Sequence, residues 1–164
     1  MRITIISALF LLASLNLNAQ ADYGNKGAAK YSLGDYTGAI QDFNKALELD
    51  PDDGYRYYLR GSAKYDLGEH AGAIQDYSKS IELGPTATVY HNRAITKHDL
   101  GDKKGAIQDY SKAIELDPND ADAYGNRGSA KYDLGDKDGG CLDWSKSGEL
   151  GDGDVYELIR KYCQ

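Results

Sequence analysis

Apolar and small residues recur along this chain at three- and four-residue intervals, in runs separated by polar, glycine-bearing breaks. Tyr57, Gly61 and Leu67 form one such run and Ala73, Tyr77 and Ile81 the next, the spacing of an amphipathic helix face. The pair of runs is written four times. Its most regular half, Gly72 to Leu83, returns as Gly38 to Leu49, as Gly105 to Leu116 and, worn down, as Gly139 to Leu150, at steps of 34, 33 and 34 residues. The other half opens on Tyr23, Tyr57, Tyr90 and Tyr124 and closes on Gly34, Gly68, Gly101 and Gly135. A glycine there suits the left-handed residue that ends a helix, and Pro51, Pro85 and Pro118 stop the helix that follows. The pattern predicts helix, tight turn and antiparallel helix in each repeat, with repeats stacked on one another.

Residues 1–21 follow another pattern. Met1-Arg2 gives a short positive start, Ile3 to Leu15 is almost wholly apolar, and small residues close the stretch at Ala19 and Ala21. This is the grammar of a cleaved secretory signal peptide, with cleavage after Ala19 or after Ala21 left open. The run is short of the roughly 20 apolar residues that cross a bilayer, so no membrane insertion is expected after cleavage; an uncleaved amino-terminal anchor helix is the other reading. The expected location is outside the cytoplasm, in a periplasm or secreted.

The ordered positions Tyr57, Gly61, Leu67-Gly68, Ala73, Tyr77, Ser80 and Pro85, repeated in register, resemble the tetratricopeptide repeat. The resemblance implies an all-α fold, a right-handed solenoid of stacked antiparallel helix pairs. Four repeats are expected over 22–152, at about 22–53, 54–86, 87–120 and 121–152, with a capping helix in 153–164. Small residues at Gly27, Gly61, Ala94 and Gly128 mark close helix approaches, filled by Phe43, Tyr77, Tyr110 and Trp144. The connection after Pro85 is one residue short, which alters the junction between the second and third repeats. The fourth repeat departs most, with Gly140, Gly148 and Asp152 where Ala, an aliphatic residue and Pro are usual. The cap is expected from Val155 to Tyr162, with Asp152 or Asp154 at its amino end and Val155, Leu158, Ile159 and Tyr162 on one face.

In this family the first helices line a concave groove that holds an extended peptide. Carried over by register, the groove comprises Asn25, Ala28, Tyr31 and Ser32 in the first repeat. The second supplies Tyr55, Tyr58, Leu59, Ser62, Tyr65 and Asp66; the third His91, Asn92, Ile95, His98 and Asp99; the fourth Asp122, Asn126, Ser129, Tyr132 and Asp133. Asparagine offers donors and an acceptor to a peptide backbone, and rigid tyrosines offer contact area; the other reading packs Tyr31, Tyr65 and Tyr132 against the neighbouring helix and makes the asparagines structural. Lys and Arg are not found at these positions, so the two-carboxylate clamp of some family members is not implied. The function expected is a non-enzymatic interaction module that binds a peptide segment of an envelope or secreted protein. The alternatives are a self-associating scaffold component, or glycan binding through the groove tyrosines.

Two cysteines remain, Cys141 about ten residues before the turn near Gly151 and Cys163 about as far after it. Antiparallel helices would bring the sulfurs level, and an even count in an exported chain favours a disulfide, with two unpaired buried thiols as the other reading. Arg60, Arg93, Arg127 and Lys26 share one register position and Asp42, Asp76, Asp109 and Asp143 another, which predicts a ladder of ion pairs of the weak, exposed kind. Lys30, Lys64, Lys97 and Lys131 are expected to cover apolar surface with their stems and place their heads in solvent.

Composition adds two exclusions. A net charge of −7 over 164 residues leaves no basic stripe to neutralise phosphates, so nucleic acid is not an expected partner. His91 and His98 lie two turns apart on one helix, about 10 Å by helical rise, too far for one metal ion. No catalytic motif is recognised, and no cofactor, metal or catalytic residue is expected.

Overall fold

The computed structural model of the chain describes residues 18–163, which fall into two compact units divided between Leu83 and Gly84. The expected leader lies for the most part outside the described residues. Its last four residues, 18–21, are helical, and Gln20 Nε2 donates to Asp53 Oδ2 at 2.9 Å.

The first unit contains α1 (described over 18–32), α2 (Tyr36–Leu49), α3 (Gly54–Asp66) and α4 (His70–Leu83). The second contains α5 (Ala87–Asp99), α6 (Lys103–Leu116), α7 (Ala121–Asp133), α8 (Lys137–Glu149) and α9 (Val155–Tyr162). All secondary structure among the described residues is helical. The helices start where aspartate can satisfy free amides: Asp35, Asp53, Asp102, Asp120 and Asp136 each accept a bond from the amide three residues on. Such a cap contributes about 1 kcal/mol. Gly34, Gly68, Gly101 and Gly135 carry positive φ, from 78° to 94°, a conformation that favours glycine. The short connection after Pro85 replaces the usual aspartate cap with Thr86, whose hydroxyl accepts from the Val89 amide.

Close helix approach is built on missing side chains. A Cβ on Gly27 would stand 2.7 Å from the Phe43 ring, one on Gly61 2.9 Å from the Tyr77 ring, and one on Gly128 2.8 Å from Trp144. The aromatic of each second helix thus lies on the small residue of the first. In the first unit Ala39, Phe43 and Ala63 form a fully buried cluster, and Tyr77 is buried as well. In the second, Ala94, Ala106, Tyr110, Ala113, Ile114 and Ala123 form a buried cluster.

The charge ladder is present but deeper than expected. Arg60 grips Asp76 through Nε and Nη2 at 2.8 and 2.6 Å, Arg93 grips Asp109 at 2.8 and 2.7 Å, and Arg127 grips Asp143 at 2.8 and 2.7 Å. The aspartates are buried, with Asp76 and Asp109 each 4% exposed. The lysines are not solvent-headed: Lys64, Lys97 and Lys131 reach the same carboxylates at 2.8, 2.7 and 2.9 Å. A buried carboxylate flanked by one arginine has remaining lone pairs to satisfy, and the lysine, one turn along the helix, is placed to meet them. The first repeat departs from this, because Lys26 turns to Asp22 on its own helix and, among the described residues, Lys30 alone is paired with Asp42, at 2.6 Å.

The second unit is closed by α9, whose bounds are those expected. Asp154 is its N-cap residue but makes no side-chain cap bond. Asp152 does the holding: Oδ1 accepts from the Asp154 amide at 3.0 Å and Oδ2 from Ser147 Oγ at 2.8 Å. Cys141 and Cys163 are joined in a disulfide, which ties the end of α9 to α8.

Candidate functional site

In the first unit, the register-equivalent residues of α1 and α3 share a face that is largely committed to its own structure. Tyr31 donates its hydroxyl to Asp66 Oδ2 at 2.7 Å and packs its ring on Tyr36 and the alanine–phenylalanine cluster. Burial and the bond to Asp66 raise its pKa. Leu59, expected in the groove, is half-buried and packs against that same cluster. Ser62, also expected there, is 8% exposed, donates to the Tyr58 carbonyl and accepts from the Tyr77 hydroxyl. Tyr58 stacks between Tyr55 and Tyr77, and Tyr65 meets His70 edge-on. Asn25 and Tyr55 face solvent, the latter 61% exposed.

The second unit behaves differently. Here α5, α7 and α9 enclose an open cavity of about 300 Å³, lined by His91, Ile95, Asp122, Gly125, Asn126, Ser129, Asp152, Asp154, Val155 and Leu158. Five residues of the predicted groove, His91, Ile95, Asp122, Asn126 and Ser129, are brought together in it. His91 is held by its Nδ1 against Asp120 Oδ2 at 2.8 Å and by its ring edge against Tyr110. Ser129 is shared, since its hydroxyl also accepts from Trp144 Nε1 at 3.2 Å. Asn126 is exposed.

Five predicted residues of this unit, Asn92, His98, Asp99, Tyr132 and Asp133, lie outside the lining. Asn92 and His98 are half-buried elsewhere on α5. Tyr132 is packed between Trp144 and Tyr162, with ring centroids 5.3 and 5.1 Å away, because α9 offers it an aromatic neighbour. The residues that sequence reasoning missed are Gly125 and the α9 wall. A signal for that wall was present: a 34-residue step from Ala121, the first residue of α7, lands on Val155. The cap therefore begins where a fifth first helix would begin.

Apart from His91, which is paired with Asp120, the ionisable groups around the cavity are carboxylates. Three aspartates line it and no lysine or arginine does. Asp152 is committed to Ser147 and the Asp154 amide, and Asp120 to His91 and the Ala123 amide. The Asp122 and Asp154 carboxylates, both exposed, make no side-chain bond within the described residues. The cavity thus combines an apolar wall of Ile95, Val155 and Leu158 with an uncommitted amide and two uncommitted negative charges. Among the described residues no group of three or more His, Cys, Asp or Glu is arranged to hold a metal ion, and no helix is long and apolar enough to cross a membrane.

Antiparallel helix pairs in tandem, with the first helices of each unit lying side by side, define a helical repeat protein. The chain belongs to the tetratricopeptide repeat family: one family model, described as TPR repeat, matches residues 27–68 and 96–135, and a second, described as tetratricopeptide repeat, matches 55–86. No curated protein matches it. Among solved structures it is similar to MamA, at 26% identity over 86% of this chain and 79% of that one, with a TM-score of 0.82. YrrB, described as a TPR protein with an unusual peptide-binding site, shares its fold at 22% identity over 82% and 71% of the two chains, TM-score 0.75. The first TPR of Spaghetti (RPAP3), solved with the HSP90 peptide SRMEEVD, does so at 24% identity over 72% and 94%, TM-score 0.70.

Proposed function

We propose that this protein is an exported, non-enzymatic adaptor that binds a peptide segment of an envelope or secreted partner on the first-helix face of its second unit. The observation that carries the reading is the cavity between α5, α7 and α9, which joins apolar wall, exposed Asn126 and free carboxylates in one place. Peptide binding by the related folds YrrB and RPAP3 supports the class of ligand. Export rests on the apolar leader of residues 3–15 and the small residues after it.

A photo-activated cross-linking residue at Asn126, compared with one at exposed Gln108 on α6, tests this in the cells that make the protein. A defined partner trapped from position 126 and not from 108 supports the adaptor. Equal trapping from both, or none from either, removes it.

A second reading rests on Tyr55, an exposed ring stacked on Tyr58 in the first unit. Exposed aromatic plates also suit sugar rings, and retention on insoluble cell-wall polysaccharide that is lost in Tyr55→Ala would favour it. A mass that rises with protein concentration would favour a self-associating scaffold instead.

A further inference from the structure

Resting on the adaptor reading, we infer that the cavity of the second unit takes the side chain of a lysine or arginine, in a peptide whose backbone runs past Asn126. The size sets the first limit. About 300 Å³ is at the small end of ligand sites, which span roughly 300 to 1,000 Å³. It holds an extended side chain and part of its backbone. The wall sets the second, because Ile95, Val155 and Leu158 offer apolar surface along which a methylene stem can lie.

The rim decides the charge. Among the described residues, Asp122, in the first turn of α7, and Asp154, at the N-cap of α9, make no side-chain bond through their carboxylates. Asp120 and Asp152 add negative potential from behind. Helix amino termini ordinarily attract anions. Here that attraction is already met from within the chain, because Asp120 accepts from the Ala123 amide and Asp152 from the Asp154 amide. A carboxylate ligand would face four aspartates with no lysine or arginine in the lining. A cation would face complementary charge at the mouth of an apolar slot. Asn126, one turn after Asp122, supplies a donor and an acceptor for the passing backbone.

The pocket is also held in shape before a ligand arrives. The disulfide between Cys141 and Cys163 and the ring stack of Tyr132, Trp144 and Tyr162 fix α9, which forms one wall. A preformed wall lowers the ordering cost of binding.

The test is a peptide-display library randomised at every position, selected on the full chain purified from the cells that make it. The comparison protein is the double variant Asp122→Asn, Asp154→Asn, shown folded by its circular dichroism and melting temperature. The expected result is a selected consensus with one fixed lysine or arginine beside apolar residues. A synthetic peptide of that consensus should bind the double variant at least about tenfold more weakly and should lose affinity as salt is raised. The charge-reversed variant Asp122→Lys, Asp154→Lys should instead retain a peptide in which the basic residue is replaced by glutamate. If acidic or uncharged peptides are selected and cross-link to position 126, the adaptor reading survives and the basic side chain is overturned. If a basic consensus binds both proteins equally, its charge is read elsewhere and the inference also falls. If nothing is selected, both readings fall together.

Discussion

At one register position the chain places Gly24 and Tyr58 in its first unit, where the Arg56 guanidinium takes up the space beside Gly24, and His91 and Gly125 in its second, and that exchange separates a filled face from a hollow one. Tyr58 lies between the rings of Tyr55 and Tyr77. His91 is smaller and is drawn aside to Asp120. Gly125 has no side chain, and a Cβ there would come within 3.1 Å of Ser147 Oγ and 3.2 Å of Asp152 Oδ2. The turn before α9 therefore settles close to α7, and the space a tyrosine would take becomes the cavity. A repeat scaffold fixes where a side chain starts; the identity of the residue and the next helix decide whether that place is wall or void.

The largest effects are expected in the ladder beneath these faces. Asp109→Ala leaves Arg93 and Lys97 without their shared carboxylate, and breaking a buried pair costs about 3 to 5 kcal/mol. Asp42→Ala strands only Lys30, which is 40% exposed, and should cost about 1 kcal/mol or less. Urea unfolding of the two variants measures the gap, and equal losses would show that the second cation adds nothing. Next in size is Cys163→Ser. The bridge spans 22 residues, so its loss should cost roughly 3 kcal/mol. Amide exchange should rise in α9 and the cavity wall while α1 to α4 keep their protection; a uniform rise would mean the cap supports the whole chain.

Smaller again is Gly128→Ala. Its Cβ would meet the Gly140 carbonyl at 2.9 Å as well as the Trp144 ring, whereas at Gly61 the nearest backbone oxygen, that of Ala73, is 3.3 Å away. Overpacking should cost about 1 to 3 kcal/mol at Gly128. At Gly61 the helix propensity gained, about 1 kcal/mol, offsets more of the strain. Melting temperatures of the two alanine variants should therefore fall unequally, and an equal fall would remove the backbone clash as the cause.

Much of this was legible in the sequence because it is written in local signals. The helix pairs follow from period and punctuation, and the positive-φ glycines and the α9 bounds lie where the pattern put them. The ladder partners were readable from antiparallel register, but burial was not, since register carries no depth. Lys64, Lys97 and Lys131 were read as solvent-headed for that reason. The site was half legible. Register named His91, Ile95, Asn126 and Ser129, yet it also named Leu59, Ser62 and Tyr132, whose surroundings come from other helices. It could not show a hollow made by an absent side chain, as at Gly125.

The finest distinction between the units is alkaline sensitivity. Tyr77 is buried, which raises its pKa, with the Ser62 hydroxyl pulling weakly the other way. Tyr31 is raised by burial first and by its bond to Asp66 second. Both belong to the first unit, and both hold the phenol proton more tightly folded than in the unfolded chain, where tyrosine titrates near 10. Stability from these groups is therefore complete below about pH 10 and is lost as pH rises from there through the folded values, because the unfolded state then binds fewer protons. Trp144 is the only tryptophan, so its fluorescence follows the second unit while circular dichroism follows all helices. Between pH 9 and 11, on the order of the tyrosine range, the urea midpoint by circular dichroism should drop more than that by fluorescence. Tyr77→Phe should flatten the first slope and leave the second alone. If both slopes change together, the phenols do not act within their own unit, and the contrast between a filled face and a hollow one does not extend to proton binding.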